Sequence, residues 1–139
     1  MPKTVEFWFD YGSPTAYLAW TQLPGLAQRT SAKIDYRPML LGGVFQATGN
    51  RSPVEVPAKS QYMNADMQWF AARYGVPFRR NPHFPVNTLN LMRGAIHAQR
   101  EGFLVPYSDA VYRAMWVEGR NMGDAAEAAA ALSAAGLDA

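Results

Sequence analysis

The sequence predicts an α/β chain in which one strand–helix–strand unit is followed by a long, helix-only segment. Three observations carry that prediction. Residues 4–10 and 32–37 alternate apolar and polar side chains at the two-residue period of a strand. The stretch between them opens on Ser13-Pro14 and then keeps apolar residues at helical spacing. From residue 58 onward the periodic stretches repeat at helical spacing, and no further strand is predicted.

In the first strand Val5, Phe7 and Phe9 fall on one face and Glu6, Trp8 and Asp10 on the other. Aromatic bulk on both faces predicts an inner strand covered on both sides. Tyr11-Gly12 breaks it, which places Ser13 as an N-cap and Pro14 as the first helical residue. The helix continues through Tyr17, Leu18, Trp20, Leu23 and Leu26, with a kink or interruption expected at Pro24-Gly25. In the second strand Ile34 and Tyr36 face in while Lys33, Asp35 and Arg37 face out. That charged alternation suits an edge strand, which Pro38 ends. Strand, helix and strand in so short a span make a right-handed βαβ unit with a parallel pair.

After Pro38 the chain changes character. Residues 39–50 and 51–57 are rich in Gly and Pro and read as an ordered loop with a turn or short helix. Residues 58–74 form a helix with Tyr62, Met63, Met67, Phe70 and Tyr74 along one stripe. A stiff, Pro-rich connector follows. Asn87 then caps a helix that runs to about Arg100 and stops at Gly102. Residues 106–118 are a third helix, and Asp124 caps a short Ala-rich fourth that ends at Gly136. The chain therefore divides into a βαβ half, residues 1–40, and a helical segment, residues 41–139. An inner strand needs a partner on each edge, and only one is offered. Either a second molecule covers the open edge of residues 5–9, or the chain stops before its sheet is complete.

Composition limits the function classes. A chain of 139 residues, 49% hydrophobic and 17% charged, is one globular domain able to bury a core. A net charge of +2 with scattered basic residues argues against nucleic acid, and the adjacent pair Arg79-Arg80 reads as solvated surface in a Pro-rich loop. There is no cysteine, which excludes disulfides, thiolate metal sites and thiol redox chemistry by the protein itself. Met1-Pro2-Lys3 leads straight into a strand without an apolar leader, and no run of about 18 apolar residues suggests a membrane span. A cytoplasmic protein is expected. His83 and His97 lie in different elements without ligand-like neighbours, so no metal site is expected.

Four residues stand out as candidates for chemistry. Ser13 lies where a strand delivers the chain to a helix N-terminus, so unpaired N–H groups and the helix dipole favour an anion beside its hydroxyl. It is a poor nucleophile, with no histidine close in sequence to act as its base. On the local pattern alone, plain capping is the commoner role. Asp66 shares the apolar stripe of its helix, and Lys59 stands two turns before it on roughly the same side. A carboxylate there is either half-buried in a pocket or part of a surface pair, the more frequent outcome. Asn50, after Gly49, is first of all a turn residue. Met63, Met67, Met92, Met115 and Trp116 read as core, and His97 as helix surface or a satisfied core histidine. Tyr17, Phe45, Phe78, Phe84 and Trp116 are candidate apolar walls for a second substrate.

Taken together, the segments FDYGSPTAYLA, RPMLLGGVFQATGN, PAKSQYMNADM and FPVNTLNLMR resemble, in order and spacing, the 2-hydroxychromene-2-carboxylate isomerases. They are also similar to the kappa-class glutathione transferases, within the DsbA-like branch of the thioredoxin fold. The resemblance implies a thioredoxin-like βαβ unit carrying a large helical insertion, with a sheet left incomplete in this chain. It implies glutathione as cofactor, an aromatic small-molecule substrate and a homodimer. By the same resemblance Ser13 is the catalytic serine facing the glutathione sulfur, and Asn50, Lys59 and Asp66 hold glutathione. Lys59 would pair a ligand carboxylate and Asp66 a ligand ammonium. Members of the family continue into two more strands, a cis-proline and a final helix, so a partial chain is expected. Competing expectations are a kappa-like transferase, a non-catalytic scaffold that binds a partner along its open strand edge and, distantly, a serine hydrolase.

Overall fold

The computed structural model describes residues 1–138. Strand β1 (Thr4–Phe9), helix α1 (Pro14–Thr30) and strand β2 (Lys33–Pro38) form the βαβ unit. The strands pair in parallel, with Thr4 opposite Lys33 and Phe9 opposite Pro38, and they are the only strands among the described residues. Helix α2 (Leu41–Thr48), a single 3₁₀ turn at Pro53–Glu55 and helix α3 (Pro57–Tyr74) follow. Helices α4 (Leu89–Glu101), α5 (Leu104–Trp116) and α6 (Ala125–Ala134) complete the chain.

Sequence and packing agree on one face of β1 and part on the other. Phe9 is fully buried, stacks on Phe7 at 5.3 Å and packs against Trp20 of α1 and Tyr112 of α5. Trp8, on the opposite face, is 54% exposed, where Arg37 lies over its ring and pairs with Glu6 and Asp35. The expectation of a strand covered on both sides is thus corrected for the described residues: only the Phe7–Phe9 face is packed. The buried side chains of the βαβ unit and of α3 to α6 form one cluster, centred on Tyr11, Tyr112, Met115 and Trp116.

Three other expectations change. Pro24 does not interrupt α1, which runs through it to Thr30. A proline removes one intrahelical N–H bond, and the buried Tyr17, Leu18 and Trp20 hold the preceding turn in place while Pro24 itself is exposed. The α3 stripe is narrower than its periodicity suggests. Met67 and Ala71 are buried and Met63 and Phe70 half-buried, but Tyr62 is 69% exposed. Helix α5 begins two residues before Pro106, a first-turn position where the missing N–H costs nothing. Residues 41–48, expected to be a turn or short helix, form two full turns ended by Gly49 in the left-handed region.

Candidate active site

The site begins with a carboxylate. Asp10 directly follows β1 and is 3% exposed, although strand alternation groups it with Glu6 and Trp8, the face that stands exposed. Alternation stops where the strand stops: β1 ends at Phe9, and the chain turns Asp10 inward. Its Oδ1 accepts from the Gly12 N–H at 2.8 Å and from the Thr88 hydroxyl at 2.7 Å. Its Oδ2 accepts from the Leu41 N–H at 2.8 Å. One buried side chain therefore joins the β1–α1 turn to the N-termini of α2 and α4. Leu40, at the N-cap of α2, offers no side-chain cap, so Asp10 supplies that acceptor from a distance. Gly12 lets α4 close on this turn: a Cβ there would stand 3.1 Å from Thr88 Cγ2.

Ser13 follows, extended at φ −98° and ψ 115°, as the N-cap of α1. Its N–H donates to the Asp10 carbonyl at 3.0 Å, its Oγ accepts from the Ala16 N–H at 3.2 Å, and Oγ lies 2.9 Å from Thr15 Oγ1. The capping role is thus present. It uses a lone pair of Oγ and leaves the hydroxyl hydrogen free to turn toward Thr15 or a ligand. Among the described hydrogen bonds none uses the Thr15 N–H. The mouth of α1 therefore offers two hydroxyls, a free amide and the positive end of the helix dipole.

Ser13 borders a cavity of about 280 Å³. Gly12, Pro14 and Thr15 form its floor with Ser13, and Leu41 and Phe45 of α2 close one side. Met63 and Met67 of α3 form another, and Phe78, Phe84 and Trp116 a third. Phe78 stacks on Trp116 with centroids 6.1 Å apart, and Phe84 meets the same indole at 5.7 Å. The indole N–H of Trp116 donates to the Tyr11 carbonyl at 2.8 Å, which ties this wall to the turn that carries Ser13. Four of the five aromatic walls expected from the sequence stand here. Tyr17 does not: its ring stacks on Phe78 from behind, and its hydroxyl donates to the Pro77 carbonyl. Met63, Met67 and Trp116 serve as both core and cavity wall, while Met92 and Met115 are core alone.

The other three expected site residues stand apart from Ser13, and none lines the cavity. Asn50 follows the end of α2, exposed, with its side-chain oxygen accepting from the Arg51 N–H at 2.8 Å. Lys59 is exposed on the first turn of α3, four residues before Met63. Asp66 is half-buried beside Met67, and the ion pairs among the described residues do not include it.

Two residues that sequence reasoning passed over shape the cavity. Asn81, 1% exposed, donates through Nδ2 to the carbonyls of Met115 (2.9 Å) and Arg120 (2.8 Å), and its Oδ1 accepts from the His83 N–H. It fixes the loop that carries Phe78 and Phe84. Arg80, read as solvated surface, is exposed as that reading expects, and it is also the one charged residue on the described lining. Behind the site lies a cluster of neutral tyrosines. Burial pushes the Tyr11 and Tyr112 hydroxyls far up from the usual range, and the Tyr107 hydroxyl up to about 12.

A family model described as the DSBA-like thioredoxin domain matches residues 4–139. The chain belongs to that family. Within the DSBA-like family it is 36% identical to a 2-hydroxychromene-2-carboxylate isomerase of Sphingobium xenophagum, over all of this chain and 71% of that protein. It is 29% identical to glutathione S-transferase kappa 1 of Homo sapiens, over 72% of this chain and 43% of that protein. A solved structure of a 2-hydroxychromene-2-carboxylate isomerase superposes with a TM-score of 0.82 at 30% identity, over 97% of this chain and 66% of the other. The chain thus spans about two thirds of the length of these isomerases. The DSBA-like thioredoxin fold expected from the sequence is the fold observed. Among the described residues no helix is long and apolar enough to cross a membrane.

Proposed function

We propose that the protein is a glutathione-dependent isomerase that converts 2-hydroxychromene-2-carboxylate to trans-o-hydroxybenzylidenepyruvate. The observation that carries this reading is the Ser13 hydroxyl, held at the N-terminus of α1 on the floor of an apolar cavity. The names of the similar proteins support it. When bound, glutathione supplies a thiolate that adds reversibly to the substrate. The chain's own part is to hold that sulfur ionised and the substrate ring beside it. Ser13 Oγ, fixed by the Ala16 N–H, donates its hydrogen to the sulfur, with the Thr15 N–H and the helix dipole adding to the field. The aromatic and methionine walls hold an apolar ring and exclude water. A cavity with these donors at one end and no acidic group on its described lining suits a thiolate.

Asn50, Lys59 and Asp66 are proposed to hold the polar ends of glutathione outside the cavity, Lys59 at a carboxylate and Asp66 at the ammonium. Each stands within a turn, or two residues, of a lining residue: Met63, Met67 and Ser52 respectively for Lys59, Asp66 and Asn50. A cytoplasmic homodimer completes the proposal.

The test is titration calorimetry with glutathione, followed by parallel assays with the chromene carboxylate and an aryl halide. Glutathione binding with isomerisation of the chromene is expected. Conjugation without isomerisation would instead make the protein a kappa-like transferase. No binding at millimolar glutathione would leave the scaffold reading.

A further inference from the structure

We propose that Arg80 reads the carboxylate of an aromatic acid in this cavity, the acid's ring lying among Phe78, Phe84 and Trp116. The inference rests on the cavity being the second-substrate site beside Ser13, and it adds the residue that selects the substrate.

Four observations carry it. First, the lining is mostly apolar, and Arg80, exposed at its edge, is its one described charged residue. Second, the root of Arg80 is held from both sides. The Arg79 N–H donates to the Trp116 carbonyl at 2.7 Å, and Asn81 is bonded to the Met115 and Arg120 carbonyls. Third, the two arginines of this pair have separated roles. Arg79 donates through Nη1 to the Glu118 carbonyl at 3.3 Å and packs beside Gly119, away from the cavity. Fourth, the ion pairs among the described residues engage Arg37, Arg113 and Arg120, and Arg80 takes part in none of them.

A guanidinium presents a planar fork of N–H donors that matches a carboxylate with two parallel bonds. With Phe78 and Trp116 stacked on each other in the same wall and no acidic residue on the described lining, the partner proposed for Arg80 is an anion brought in by the ligand. The cavity then has two anion-attracting ends, the mouth of α1 and Arg80. An uncharged ring would fill the walls but leave Arg80 unused. An aromatic acid uses both.

The experiment compares trans-cinnamate with methyl trans-cinnamate by calorimetry on the wild-type protein, Arg80→Ala and Arg80→Lys, and measures glutathione binding by each. The wild type is expected to favour the acid roughly 10- to 100-fold, the range for hydrogen bonds to a charged group. Arg80→Ala should bring the acid down to the ester's affinity while leaving the ester and glutathione unchanged. Arg80→Lys should keep part of the preference, since an ammonium retains the charge without the fork. Three results would overturn the proposal: no acid preference in the wild type, the same preference in Arg80→Ala, or a loss of glutathione affinity in Arg80→Ala. Should Arg80→Ala fail to fold, the Arg80→Lys ratio decides, an undiminished preference for the acid counting against the fork. Absence of glutathione binding in the wild type, with the Arg80-dependent preference intact, would sink the isomerase and leave this carboxylate site standing.

Discussion

Replacing Asp10 with Asn keeps the shape of the side chain and removes half of its accepting capacity. The carboxylate receives three hydrogen bonds, two on Oδ1 and one on Oδ2. The least costly placement keeps the amide oxygen at Oδ1 and turns the NH₂ toward the Leu41 N–H. Two donors then face each other at the half-buried start of α2. The loss is one charge-assisted bond, about 1.5–3 kcal/mol, together with an unpaired, half-buried N–H; about 2–4 kcal/mol in all is expected. Asp10→Ala loses all three bonds and should cost about 4–5 kcal/mol. For a domain of this size, each kcal/mol moves Tm by about 3–4 °C, so Asp10→Asn should melt roughly 6–16 °C below the wild type. Urea denaturation followed by far-UV circular dichroism gives the free energy directly. An Asp10→Asn protein within about 0.5 kcal/mol of the wild type would show that Asp10 does not join the three elements as described.

Other predictions follow from the same geometry. Asn81→Ala leaves the buried Met115 carbonyl, the half-buried Arg120 carbonyl and the His83 N–H without their partner and should cost about 3 kcal/mol. Its effect on activity should be a raised KM, since the loop it fixes carries Phe78 and Phe84; a stability unchanged in urea would contradict this. The protein should also lose stability in alkali. Burial raises the tyrosine hydroxyls of Tyr11, Tyr17, Tyr36, Tyr107 and Tyr112 above their unfolded value near 10. Below pH 10 these groups are neutral in both states and the stability they contribute is fully present. Above it the unfolded chain releases protons first, so stability falls as pH rises from 10 toward 12, by up to about 1.4 kcal/mol per unit for each such tyrosine. Phenolate absorbance that appears in full near pH 10 without unfolding would contradict the burial.

The parts of the site legible in the sequence were those with a local signature. A strand, then Gly12, then Ser13-Pro14 announces a capped helix, and Ser13 caps it. Of the five aromatic residues named as walls, four line the cavity: Phe78 and Phe84 from a connector, Phe45 from within α2 and Trp116 from the end of α5. Tyr17 misled because helical spacing gives a direction but not the neighbour that claims it, here Pro77 and Phe78. Asp10 was misplaced by extending strand alternation one residue beyond the strand. The available signal was its spacing to Gly12, since an aspartate two residues before a turn glycine accepts from that N–H. Arg79 and Arg80 could not be separated, because their difference lies in contacts with the distant residues 116–119. Asn81 was invisible for the same reason: its partners lie 34 and 39 residues away. Asn50, Lys59 and Asp66 had no local signature beyond turn and helix-surface chemistry, and their proposed role rests on resemblance.

The central claim is that Ser13 and the mouth of α1 hold the sulfur of bound glutathione as a thiolate. It is tested most directly by titrating the ultraviolet absorbance of the thiolate in the glutathione complex, for the wild type and Ser13→Ala. A free thiol of this kind ionises near 8.5, and each unit of depression corresponds to about 1.4 kcal/mol of thiolate stabilisation. The bound thiol pKa is expected one to two units below the free value in the wild type, rising by about a unit in Ser13→Ala while glutathione affinity changes little. An identical pKa in the two proteins would contradict it.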